Sequence, residues 1–185
     1  MSTESLEKTI AATRAVLANV TADQLSEPTP CASWNVAQLV DHIVGAQYFF
    51  QAGMTGSGME KASQAFSDGD FLEAFDAAAA GTLASFQEEG VMQKMITLPF
   101  GTMPGAAVCG MACTDTLQHA WDLAKATGQD TNLAPEVATG LLAAAQTSIQ
   151  ESFRGPEGAP FGPKQAAPEG ASAADQLAAF LGRSV

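Results

Sequence analysis

The chain has 185 residues, of which 46% are hydrophobic and 15% charged, a composition that can build a core and argues against disorder. The net charge of −12, from 8 Lys and Arg against 20 Asp and Glu, excludes a nucleic-acid partner, because phosphate binding needs clustered cations. The same charge disfavours an anionic membrane surface, and no apolar run reaches the roughly 18 residues of a spanning helix. The length of the chain is typical of a single domain, so we expect one domain over residues 1–185.

Apolar residues recur at helical spacing in three stretches of the first half of the chain. Two prolines before Trp34 predict a loop there, and Ser33 is the predicted N-cap of the second helix. Glycines within 53–58 predict the end of that helix, and Asp68 or Asp70 is predicted to begin the third. The three predicted helices span residues 5–20, 35–51 and 70–89.

The second half contains one run that suits an extended strand, residues 92–98, followed by a sharp turn over 99–105. Pro135 suits the first turn of a helix, and Ser172 is the predicted N-cap of a short last helix. Residues 155–170 are rich in Pro and Gly and predict an arm. The helices predicted here span residues 106–127, 135–153 and 173–181. The pattern predicts an all-α fold, a four-helix bundle with a short extended or turn segment and a small C-terminal arm. The arm and the short last helix together span 155–185.

The chain has only two histidines, and both lie on or beside apolar faces of predicted helices. Asp115 and His119 are four residues apart, so they share one helical face, and His42 lies on a second helix. A buried carboxylate needs a partner. One interpretation is a plain Asp115–His119 pair or surface placement of both. The other is a divalent metal held by His42, Asp115 and His119, with further coordination positions open.

The cysteines are the rival metal ligands. Cys109 and Cys113 point roughly 120–160° away from the Asp115 face, so they are predicted to be buried as small apolar residues. Cys31 lies in a loop and is a weaker candidate for a reactive thiol or for a residue beside the metal ligands. An odd number of cysteines, and an N-terminal stretch without signal-peptide features, predict a cytoplasmic protein.

For five other polar or aromatic residues, the sequence favours a structural role over a role in the site. Trp34 and Trp121 are predicted to be core or staple residues rather than substrate contacts. Asp122 could accept a hydrogen bond from a ligating histidine, but an exposed helical acid is the favoured interpretation. Arg154 and Lys164 are predicted to be solvated rather than to bind an anionic substrate.

Four segments carry a resemblance to a known family: TPCASWNVAQLVDH (29–42), LPFGTMPG (98–105), DTLQHAWDLAKATG (115–128) and FLGR (180–183). Together they resemble actinobacterial metal-binding proteins related to mycothiol-dependent maleylpyruvate isomerase, within the DinB/YfiT-like superfamily, over nearly the whole chain. The resemblance implies a four-helix bundle in which His42, Asp115 and His119 hold a divalent metal, Zn or Ni. The isomerase usually has glutamate where this chain has Asp115, which moves the carboxylate by about one methylene.

The resemblance further implies a metal-dependent enzyme that presents a low-molecular-weight thiol, mycothiol, to an electrophilic small molecule for transfer or isomerisation. A metal would lower the pKa of the thiol and deliver a thiolate. Two alternatives stay open: a non-catalytic metal-binding or stress-response bundle, and a metal-dependent hydrolase. The sequence does not decide between a monomer and a homodimer.

Overall fold

The computed structural model describes residues 1–31, 33–156 and 159–185, and in them the protein is rich in helix with one small antiparallel sheet. The helices are α1 (Thr3–Leu17), α2 (Val36–Thr55), α3 (Phe71–Gln87), α4 (Gly105–Ala126), α5 (Pro135–Ser148) and α6 (Ala173–Phe180). The strands are β1 (Met95–Leu98) and β2 (Gly101–Pro104), and single 3-10 turns cover Ala22–Gln24, Glu60–Ser63 and Glu151–Phe153. The predicted helix-rich fold is therefore confirmed. The structure also contains a two-stranded sheet, which a purely all-α fold does not have.

Helices α1 to α4 pack in a ring of contacts, in which α1 and α2 each touch both α3 and α4. Helices α5 and α6 pack on each other and against α4. Trp121 of α4 is 1% exposed and donates its indole N–H to Asp175 Oδ1 of α6 at 2.8 Å, which confirms its predicted place in the core. Cys109 and Cys113 are also buried on α4, as predicted. No helix among the described residues is both long and apolar enough to cross a membrane.

The two ends of α2 differ from the prediction. Asn35, not Ser33, is the N-cap: its side chain accepts from the Gln38 N–H, and the Gln38 side chain accepts from the Asn35 N–H. The helix also continues through Gly53 to Thr55 and ends at Gly56, which has a φ of +74°. Leu98 of β1 packs against Gly53 and occupies the space that a Cβ there would need, so this position within the helix suits glycine.

Other helix boundaries are closer to the expected ones. Asp70 is the N-cap of α3, Pro135 lies in the first turn of α5, and Ser172 and Asp175 form the predicted capping box of α6. Helix α5 ends at Ser148, five residues earlier than predicted, because a 3-10 turn follows it. Two residues of the predicted arm, 157 and 158, lie outside the described residues.

The hairpin determines where α4 begins. Strands β1 and β2 pair antiparallel with Leu98 opposite Gly101, and the alternate residues Ile96 and Leu98 are buried. The Gly105 N–H donates to the Lys94 carbonyl at 2.9 Å, and a Cβ at Gly105 would collide with the Val91 carbonyl. The close approach at this glycine therefore fixes the first turn of α4, the helix that carries Asp115 and His119.

Candidate metal centre

The three residues predicted as metal ligands lie together at the contact between α2 and α4. His42 Nε2 is 3.5 Å from Asp115 Oδ1, and His119 Nε2 is 3.7 Å from the same oxygen. One ligand atom from each of the three residues lies within 4.8 Å of the other two, and no fourth His, Cys, Asp or Glu joins this group among the described residues. The structure thus brings all three predicted residues to one point.

The spacing and the unpaired atoms fit a divalent cation. The distances of 3.5 and 3.7 Å from the two imidazole Nε2 atoms to Asp115 Oδ1 are too long for strong hydrogen bonds. They are close to the roughly 3.4 Å between two ligand atoms that bind one zinc at about 2.1 Å with tetrahedral angles. His42 Nε2 and Asp115 Oδ2 are buried atoms without a hydrogen-bond partner in the described part of the chain. Such atoms are costly to leave unsatisfied, and a cation would satisfy both.

The carboxyl of Asp115 is negatively charged in this setting. Burial acts to raise the pKa of Asp115, but the neighbouring imidazoles of His42 and His119 lower it and prevail, so its pKa lies below the ordinary value. Its side chain is 30% exposed, against 31% for His42 and 12% for His119. The group therefore combines one anionic oxygen with two imidazoles in a partly buried pocket, a donor set typical of zinc and of other first-row divalent ions.

A second carboxylate orients His119. Asp122 is fully buried, and its Oδ2 lies 3.1 Å from His119 Nδ1. Burial acts to raise the pKa of Asp122, but His119 and Arg183 outweigh it and the net pKa is lowered, so the carboxylate accepts and the Nδ1 atom carries the proton. This tautomer leaves the Nε2 lone pair of His119 facing Asp115. The prediction that Asp122 is an exposed acid was therefore wrong.

Arg183, from the segment after α6, completes this arrangement. Its Nε donates to Asp122 Oδ1 at 2.8 Å and its Nη2 to Asp122 Oδ2 at 3.0 Å, a bidentate pair. Gln118 Nε2 adds a longer contact to Asp122 Oδ1 at 3.3 Å. Sequence reasoning assigned Arg183 no role beyond its place in the FLGR segment, because its partner lies 61 residues away in the chain. For Asp122, the three-residue spacing from His119 was an available local signal.

Trp34 packs against both imidazoles. Its ring centroid is 4.5 Å from that of His42 and 5.5 Å from that of His119, and the two imidazole centroids are 4.4 Å apart. The indole restricts the rotation of both rings, so the predicted staple role of Trp34 is exerted on the site itself. Sequence spacing could not show this contact, since Trp34 precedes α2 in an irregular loop.

Cys31 belongs to a second group with His119 and Asp122, whose ligand atoms also lie within 4.8 Å of one another. Arg183 Nη2 lies 3.7 Å from Cys31 Sγ and neutralises Asp122, so a cation at this point would meet a guanidinium. Burial raises the pKa of the Cys31 thiol, although Arg183 opposes it. This second group is therefore better explained as an arginine-centred ion pair than as a metal site.

A cavity of about 780 Å³ opens beside the three candidate ligands. Its walls are mainly apolar and come from α2, α4 and α5, with Phe100 of the hairpin loop and Phe161 of the arm. His42, Asp115 and His119 all line it, together with Gln118 and Arg183. A cavity of this size suits a small organic molecule. The candidate site therefore has both a ligand set and a space in which a reactant could bind.

Arg154 and Lys164 lie away from this site. Arg154 is not solvated as predicted: its side chain is 4% exposed, and Nη1 donates to the carbonyls of Phe180 and Gly162 at 2.7 and 3.1 Å. Lys164 is half-exposed and pairs with Glu151. Arg154 thus holds the arm against the end of α6, and neither cation lines the cavity.

Comparisons with known proteins identify the family and the fold of the chain. Residues 6–124 match the family described as mycothiol maleylpyruvate isomerase N-terminal domain. Two uncharacterised proteins of Mycobacterium tuberculosis, one from each of two strains, are 46% identical over 172 residues, covering 92% of this chain and 91% of each relative. The crystal structure of the mycothiol-dependent maleylpyruvate isomerase shares the fold with a TM-score of 0.58 and 17% identity, covering 78% of this chain and 68% of that one.

Proposed function

The chain belongs to the mycothiol maleylpyruvate isomerase N-terminal domain family, and from this we propose that it is a divalent-metal-dependent enzyme acting with a low-molecular-weight thiol. The thiol is mycothiol, and the second reactant is an electrophilic small molecule that undergoes thiol transfer or isomerisation. The observation that carries the proposal is the convergence of His42, Asp115 and His119 at the wall of a cavity.

Each residue has a distinct role in this proposal. His42, Asp115 and His119 hold the cation, and Asp122 with Arg183 fixes the tautomer and orientation of His119. When bound, a zinc- or nickel-type cation supplies Lewis acidity, which lowers the pKa of a thiol so that the thiolate is the attacking group. The apolar cavity walls limit water around the reactants and receive the electrophile.

The shorter side chain of Asp115 still reaches the site. Its Oδ1 lies within 3.7 Å of both imidazoles, so the aspartate provides an anionic oxygen at the position where the resemblance implies a glutamate. Three protein ligands leave room for an exogenous ligand in a zinc coordination sphere, as in catalytic rather than structural zinc sites.

Elemental analysis of the purified protein tests the metal. We expect about one divalent ion per wild-type chain and less than one tenth of that in His42→Ala and Asp115→Asn. Asp76→Asn makes the same change at an exposed acid paired with Arg14 and serves as the control, with unchanged metal content. A wild-type protein that contains no metal and takes up neither zinc nor nickel on titration contradicts the proposal.

A thiol-consumption assay tests the reaction. Mycothiol and a panel of electrophiles are incubated with the metal-loaded protein, and free thiol is followed over time. We expect consumption that falls at least a hundredfold in Asp115→Asn and is unchanged in Asp76→Asn. Stoichiometric metal without thiol consumption would support a non-catalytic bundle, and product formation without thiol would support a hydrolase.

A further inference from the structure

The cavity beside the candidate metal centre has a specific chemical character. One face of α4 forms a wall, through Ala107, Gly110, Met111 and Thr114, and leads directly to Asp115. These residues recur at intervals of three and four, so they share one side of the helix. Aromatic and aliphatic side chains from other elements form further walls, among them Phe49, Phe50, Phe100, Leu141, Ile149 and Phe161.

The cationic side chain in the cavity wall is already neutralised. Arg183 is the one Lys or Arg among the described lining residues, and its guanidinium is paired bidentately with the buried Asp122. The chain as a whole carries a net charge of −12. One carboxylate of a ligand could bind at the metal, but a second carboxylate would meet apolar walls without a free cationic side chain and would lose its hydration.

Gln118 adds an unused hydrogen-bond acceptor. This side chain is 6% exposed and lines the cavity. Its Nε2 donates to the Asp122 carboxylate, which can only accept, and this assigns the amide orientation. The Oε1 atom is then left buried without a partner in the described part of the chain. The lone pairs of this buried oxygen disfavour a carboxylate brought to the same part of the wall.

Resting on the proposed function, we propose that the electrophile is an uncharged molecule with an aromatic or branched aliphatic body, and that dicarboxylates are excluded. The apolar body lies against the α4 wall, and its reactive carbon lies toward His42 and Asp115. The cavity volume of about 780 Å³ accommodates a molecule of this size.

A binding assay without thiol tests the substrate class separately from the reaction. The neutral fluorophore N-phenyl-1-naphthylamine is titrated into the full chain, both metal-free and zinc-loaded, and fluorescence is measured. It is then displaced by diethyl phthalate or by phthalate, which share one aromatic skeleton and differ in charge. We expect saturable one-to-one binding and displacement by the diester at concentrations at least a hundredfold below those needed for phthalate.

Matched glycine variants locate the bound probe. Gly110 lines the cavity, and a Cβ there meets only Met1 Cγ, at 3.7 Å, so Gly110→Leu places a side chain in the cavity and should weaken probe binding at least tenfold. Gly140 lies on α5 outside the lining, and a Cβ there likewise meets only Met1, at 3.8 Å. Gly140→Leu is therefore the control, with probe binding within twofold of wild type.

The outcomes separate the two proposals. Phthalate displacing the probe as well as the diester, or Gly110→Leu binding like Gly140→Leu, overturns the assigned ligand class even if metal is present. Probe binding with the expected selectivity in a protein that takes up no metal supports the ligand class and contradicts the metal-dependent reaction.

Discussion

Replacing Arg183 by methionine removes the guanidinium that faces the buried Asp122 carboxylate and keeps a side chain of similar length. Asp122 is fully buried and the Arg183 side chain is 17% exposed, so the pair lies in the protein interior. Removing one partner of such a pair costs about 3–5 kcal/mol, because a charge is left buried without compensation. Asp122 keeps contacts with His119 and Gln118, so we expect the lower end, about 3 kcal/mol.

Thermal unfolding of the metal-free protein measures this effect. In a protein of this size a loss of 1 kcal/mol lowers Tm by about 2–4 °C, so Arg183→Met should lower Tm by about 6–12 °C. Arg14→Met is the control, because Arg14 forms the same bidentate contact with Asp76 at the surface, where ion pairs contribute little. Its Tm should stay close to that of wild type.

The double variant Arg183→Met with Asp122→Asn tests the cause. The substituted amide carries no charge, so the double variant should be more stable than Arg183→Met alone, since the penalty comes from the unpaired carboxylate. Metal retention on dialysis should also fall in Arg183→Met, because His119 loses its fixed orientation. A Tm for Arg183→Met equal to that of Arg14→Met would refute this reasoning, as would a double variant less stable than the single one.

Two further predictions concern the C-terminal part of the fold. Burial acts to raise the pKa of Asp175, but hydrogen bonds from Trp121, Ser172 and Thr131 prevail and lower it. A carboxyl with a lowered folded pKa adds stability that is present above its unfolded pKa, about 3.9, and is lost as the pH falls through the folded value. Urea unfolding should therefore show a larger difference between wild type and Asp175→Asn at pH 6 than at pH 3, and equal differences would contradict this account. Gly182 has a φ of +103°, and a Cβ there would lie 2.6 Å from Gly162 Cα. Gly170 has a φ of +78° but open space around its Cβ position, so it is the control. Gly182→Ala should therefore destabilise the protein by at least about 1 kcal/mol more than Gly170→Ala. Equal unfolding midpoints for the two alanine variants would show that this close approach is not constraining.

The helices and several of their N-caps could be predicted from the sequence. Helical periodicity located the six helices, and the side chains of Asp70 and Ser172 marked helix starts, because N-caps act within three residues of themselves. The end of α2 did not follow, since Gly53 lies within the helix and packs against Leu98, 45 positions further along the chain. Strand β2 was not predicted, because residues 101–104 were assigned to a turn and their pairing with β1 is not visible within either segment alone.

The candidate site could likewise be predicted only in part. Asp115 and His119 share a helical face, so their proximity could be inferred from a spacing of four. The apolar face around His42 indicated the third residue, and the resemblance implied the same set. The burial of Asp122 could not be inferred, because its charge is tolerated inside only through Arg183, which is distant in sequence. Whether the three residues bind metal stays a prediction that the elemental analysis decides.

The Asp122–Arg183 pair has a consequence for the order of folding during synthesis. Arg183 is translated 61 residues after Asp122, so α4 leaves the ribosome well before its counter-charge exists. Until the segment after α6 docks, Asp122 must stay hydrated or protonated, which opposes burial of this face of α4. Docking of the segment that carries Arg183 would then close the interior and set the His119 ring in a single step, so that assembly of the site is coupled to this docking.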